Sequence, residues 1–97
     1  MPTYITLVNY TQKGIENIKE SPTRLDRVRK AMKAAGGEFK AFYLTMGHYD
    51  MVVISEAPND AVYASTMLAI GASGAVRSET LKAFTESEYR EIIESLP

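Results

Sequence analysis

The segment Glu38-Phe39-Lys40-Ala41-Phe42-Tyr43-Leu44-Thr45-Met46-Gly47-His48-Tyr49-Asp50-Met51-Val52-Val53-Ile54-Ser55 decides how this chain folds. Two runs rich in aromatic and β-branched side chains, residues 38–46 and 51–55, flank a polar turn centred on Gly47-His48-Tyr49-Asp50. Runs of this kind are strands, and a glycine between them supplies the positive backbone dihedral that a reversal needs. The expected element is a β-hairpin. Alternation in its first strand puts Phe39, Ala41 and Tyr43 on one face and Phe42, Leu44 and Met46 on the other. The second strand is nearly continuous in apolar side chains. A sheet with one wet face would alternate more cleanly, so both faces of this one are expected to be covered.

Upstream, residues 4–10 (Tyr-Ile-Thr-Leu-Val-Asn-Tyr) carry the same signature and give the first strand. Gln12-Lys13-Gly14 breaks it, and Ile15 and Ile18 mark a short helical turn leading to Ser21-Pro22. Serine as N-cap with proline at the first helical position starts a helix there. Leu25, Val28 and Met32 share one face of it, with Ala31 and Ala35 beside them. Arg24, Arg27, Lys30 and Lys33 lie elsewhere around the cylinder, and Gly36-Gly37 supplies a left-handed cap.

Downstream, Ala57-Pro58-Asn59-Asp60 stops the third strand and caps a helix over residues 60–70. No charged residue occurs from Ala61 to Val76, and apolar side chains cover most of that helix's circumference. Such a helix is expected to be buried on more than one side. It is too short, and too rich in serine, threonine and glycine, to span a membrane. Gly71-Ala72-Ser73-Gly74 returns the chain to a fourth strand over residues 75–84. Thr85 and Glu88 then form a capping box, and Tyr89, Ile92, Ile93 and Leu96 give a closing helix one apolar stripe.

The order strand, helix, strand, strand, helix, strand, helix is the ferredoxin-like α+β arrangement, βαββαβ with a C-terminal helix. It predicts one domain over residues 1–97, with a four-stranded antiparallel sheet and helices on one face. Because the strands offer apolar side chains of both parities, two sheets from two copies are expected to pack face to face as a dimeric α/β barrel. The first partner expected for this chain is itself, as a homodimer or higher homo-oligomer.

Composition narrows the functional classes. The formal net charge of the 97-residue chain is -1, so no large field attracts nucleic acid or an acidic membrane. With no cysteine and one histidine, disulfides, thiolate catalysis and a protein-only zinc site are not expected. No cofactor or metal is anticipated. Met1-Pro2-Thr3-Tyr4 has no signal-peptide character, which makes a cytoplasmic location the default expectation.

The run at residues 4–10, the punctuation at Gly14-Ile15 and Ser21-Pro22, Met46-Gly47-His48-Tyr49-Asp50, Glu56-Ala57-Pro58-Asn59-Asp60 and the run at residues 76–85 together resemble the GYD-domain family. The resemblance extends over residues 4–88. It implies a bacterial or archaeal protein of the dimeric α/β-barrel class, whose wider superfamily includes cofactor-independent monooxygenases, isomerases, decarboxylases and ligand-sensing domains. Kinship of fold does not name an activity.

Two functional readings follow. In the first, the chain is a homo-oligomeric interaction module or small-molecule binder, with Tyr4, Thr6, Tyr43, Tyr49 and Arg77 as candidate ligand contacts. Aromatic rings with a few hydroxyls suit a small-molecule pocket, though a semi-polar dimer interface has the same composition. In the second, the chain is a monooxygenase- or isomerase-like enzyme in which His48 shuttles a proton and Asp50 fixes its tautomer. Against that stands the plain turn that Gly47-His48-Tyr49-Asp50 makes. Glu56, Asn59 and Asp60 lack the ligand spacing of a cation loop and are better explained by helix capping.

Overall fold

The hairpin forms. In the computed structural model, which describes residues 1–97, strands β1 (Thr3–Tyr10), β2 (Glu38–Leu44), β3 (Met51–Glu56) and β4 (Val76–Ala83) make one sheet in the order β2-β3-β1-β4. All neighbours are antiparallel. Helices α1 (Gln12–Glu16) and α2 (Ser21–Ala34) join β1 to β2, with a 3-10 turn at Ile18–Glu20 between them. Helix α3 (Asp60–Gly71) joins β3 to β4, and α4 (Glu86–Glu94) follows. This is the expected ferredoxin-like α+β arrangement, and none of its helices is long and apolar enough to cross a membrane.

The ladder register assigns every strand side chain to a face. Thr6 lies opposite Val53 on one side and Thr80 on the other. Tyr4, Thr6, Val8, Met51, Val53 and Ser55 therefore share the face beneath α2 and α3, and all six are buried. Tyr63 of α3 stacks on Tyr4 with ring centroids 3.9 Å apart and 9° between planes. Met32 of α2 and Ala57 complete this core with Val53.

The opposite face has no covering layer. One row across it runs Ala41, Ile54, Ile5 and Leu81; the next runs Tyr43, Val52, Leu7 and Glu79. Glu38 and Glu56 close one end of the face, where Lys40 pairs with both at 3.5 and 3.4 Å. Helix α4 likewise stands off the body. Tyr89, Ile92, Ile93 and Leu96 expose their stripe, and the molecule is drawn out to 52 × 31 × 17 Å.

Local details depart from the sequence reading, each for a physical reason. A bulge at Lys40 shifts the β2 register, so Phe39 joins Phe42 on the covered face, where the Arg29 guanidinium sits 4.2 Å from its ring centre. Strict alternation had placed those two rings on opposite faces. The first strand ends before Gln12 as expected, but Gly14 has a further role: it lies buried inside α1, where a Cβ would collide with the Ala75 carbonyl oxygen. It is a close backbone approach that only glycine permits. Ser21 is the first helical residue rather than a cap, and its hydroxyl bonds the Tyr10 hydroxyl at 2.9 Å. Helix α3 buries only Tyr63 within the chain. Three of its eight apolar side chains are alanines, and Leu68 remains 77% exposed.

Candidate functional site

The loop between β2 and β3 is held by its ends. Gly47 adopts φ 131°, the conformation expected of the turn glycine. The Thr45 amide donates to the Asp50 carbonyl at 2.8 Å, and the Thr45 hydroxyl donates to the Tyr49 carbonyl at 2.6 Å. Asp50 then ties the loop to β1. Its amide donates to the Val8 carbonyl, and its carboxylate accepts the Tyr10 amide, both at 2.9 Å. The Asp50 carboxylate thus extends the β-ladder past its last strand residue. His48 sits exposed at the loop tip with no side-chain hydrogen bond inside the chain, so the structure does not bring its ring and Asp50 together. Tyr49 reaches across the end of β1 and donates to Glu79 Oε2 at 2.7 Å, a bond that raises its hydroxyl pKa above the usual range.

The other candidate ligand contacts separate by face. Tyr43 is exposed on the open face. Tyr4 lies in the core and donates to Asp60 Oδ1 at 2.5 Å, while Lys82 pairs with Asp60 Oδ2 at 3.0 Å. Burial, and then that bond to Asp60, push the Tyr4 hydroxyl up to about 12. The Tyr4 hydroxyl and Lys82 in turn hold the Asp60 carboxyl below its ordinary value. Thr6 and Tyr63 share a hydroxyl–hydroxyl bond beside this pair. Ser55 Oγ, fully buried next to Tyr4, has no partner.

Between α2, α3 and the sheet lies a cavity of about 370 Å³, with Thr6 on its wall and Arg77 bordering it on β4. Its apolar part is built by Phe42, Val53, Met32, Met51, Met67 and Ile70. At the end near the start of α2 stand the bonded Tyr10 and Ser21 hydroxyls with Arg24. As cavity residues the methionines and Arg24 escaped the sequence reading, which chose Tyr4, Thr6, Tyr43, Tyr49 and Arg77 as ligand contacts. Their signal was nonetheless present, because Ser21, Arg24, Leu25 and Val28 follow the i, i+3, i+4, i+7 spacing of one helical face.

An antiparallel sheet with two helices on one side and an uncovered apolar face on the other defines the ferredoxin-like α+β class. Within it, the chain belongs to the GYD-domain family, whose model matches residues 4–93. A relative from Thermus thermophilus, named glutamine synthetase and cystathionine beta-lyase binding protein, is 34% identical over 84 residues, covering 86% of this chain and 88% of its own length. A crystal structure of a protein from Thermus thermophilus superposes with a TM-score of 0.55 at 21% identity, covering 88% of this chain and 95% of that one. At that identity it speaks to fold alone.

Proposed function

We propose that this chain is a protein-interaction module that pairs with a copy of itself through the open face of its sheet and presents α4 to a metabolic enzyme. One observation carries the reading. The open face has an apolar centre of Ile5, Leu7, Val52, Ile54 and Leu81, with charged groups at its margins: Glu38, Lys40 and Glu56 at one end, Arg77 and Glu79 on β4. An apolar centre inside a polar rim is the anatomy of a protein interface. Leaving these side chains in water forfeits roughly 25 cal/mol for each Å² of apolar surface that a second sheet would cover.

Helix α4 adds a second surface, an exposed stripe of Tyr89, Ile92 and Ile93, continued by Leu96 just past its end, on a helix that also carries Glu86, Glu88, Glu91 and Glu94. The name of the Thermus thermophilus relative supports an enzyme as the partner class. No geometry favours the alternative of acid–base catalysis by His48 and Asp50, since the Asp50 carboxylate is engaged by the Tyr10 amide.

The test is biolayer interferometry with glutamine synthetase and cystathionine beta-lyase purified from the same host. Saturable binding to either enzyme, lost in Ile92→Glu, is the expected result. Absence of binding to both by the wild-type chain would contradict the enzyme-docking half of the proposal.

A further inference from the structure

The cavity between α2 and α3 has an uneven charge. Arg24 and Arg27 of α2 are on its wall, and no aspartate or glutamate is; Arg77 borders it on β4, but its side chain has the parity of the open face. None of these arginines takes part in an ion pair; the chain's ion pairs use Lys40, Lys82 and Arg90 instead. Cations lining an apolar cleft without counter-ions create a positive potential that low-dielectric walls focus into it. The cleft is therefore complementary to an anion with an apolar body.

Arg24 is the better placed of the two on α2. Its guanidinium donates to the Asn17 carbonyl at 3.0 Å and the Gly14 carbonyl at 3.4 Å, which fixes its position. An arginine has five N–H donors, so this one keeps several for a ligand. Beside it, the Tyr10 and Ser21 hydroxyls lie 2.9 Å apart. One of them donates to the other, and the second hydroxyl proton is free to donate to an anionic oxygen. The far wall is flexible and aliphatic, with Met32, Met51 and Met67 accounting for three of the five methionines of the chain. Methionine adapts to an unbranched chain without demanding a fixed ring geometry. The volume of about 370 Å³ falls at the small end of ligand sites.

We propose that this cleft binds an aliphatic monocarboxylate, its head at Arg24 and the Tyr10–Ser21 hydroxyls and its tail among the three methionines. The cleft is on the opposite side of the sheet from the self-pairing face, so this proposal and the interaction reading stand or fall separately.

Methionine-methyl NMR offers a built-in control, because Met46 is fully exposed on the loop and Met1 lies at the chain's start, both away from the cleft wall. Titration with decanoate below its micellar concentration should move the Met32, Met51 and Met67 signals saturably and leave Met1 and Met46 in place. Decanol, with the same tail and no charge, should bind about tenfold more weakly, as should decanoate to Arg24→Gln, while Arg24→Lys retains part of the affinity. The decanol comparison is made on the wild-type protein and holds even if a variant misfolds. Equal affinity for decanol and decanoate, shifts that include Met46, or no saturable shift would each overturn the proposal.

Discussion

The two faces of one sheet follow different rules. On the covered face β1 and β3 contribute buried side chains to a layer beneath the helices: Tyr4 stacks on Tyr63, its hydroxyl reaches Asp60, and Thr6 bonds Tyr63. On the open face Ile5, Leu7, Val52 and Ile54 are of the same chemical kind but meet no second layer within the chain. In the central strands β1 and β3 the difference is not one of composition, since both parities carry apolar side chains. It lies in what the connections supply. Helices α2 and α3 both cross on the same side, as the topology requires, and α4 runs off the end of β4 instead of returning across the sheet. The apolar residues of the open face therefore lie where the chain's own helices do not reach, which is what supports the proposed self-pairing.

Substitutions on the covered face should show this contrast most strongly. Tyr63→Ala removes the ring stacked on Tyr4 and the partner of Thr6 together, and is expected to cost about 3–5 kcal/mol of folding stability. Urea titration followed by circular dichroism measures it. A loss under about 1 kcal/mol would mean that the covered face is not the core of the fold.

The polar chain that ties α3 to β1 and β4 should set the pH limits. Tyr4 has a raised pKa in the fold, so its contribution is complete below its ordinary value of 10.0 and is lost as pH rises from there toward about 12. Asp60 has a lowered one, so its contribution is present above the ordinary carboxylate value and is lost as pH falls through the folded one. Tyr4→Phe should flatten the alkaline limb of a stability–pH curve and Asp60→Asn the acid limb. Unchanged limbs in both variants would contradict the coupling.

The smallest effect is expected at the loop tip. His48→Ala removes an exposed ring with no partner and should change stability by no more than about 0.5 kcal/mol. A larger loss in the isolated chain would reveal a contact the fold does not contain.

How much of this was legible in the sequence depends on the kind of interaction. Element order, the turn at Gly47, the Asn59 cap and the Thr85–Glu88 capping box follow from local rules, and all are present. The Lys40 bulge was not legible, because an extra residue in a strand leaves no compositional trace and the shift only appears when β2 meets β3. The packing role of Gly14 was not legible for a similar reason. Its constraint is the Ala75 carbonyl, far away along the chain. Among the candidate site residues, Thr6 faces the cavity and Arg77 only borders it on β4, whereas Tyr4 is drawn into the core by Tyr63 and Asp60, contacts that the alternation of β1 alone does not specify.

The central claim is that a second copy covers the open face, and sedimentation equilibrium at micromolar concentration tests it directly. The wild-type chain should sediment as a dimer or larger assembly with no stable monomer, and Ile54→Lys, which sets an unpaired charge in the apolar centre, should dissociate it while keeping the fold. A monodisperse wild-type monomer would contradict the account.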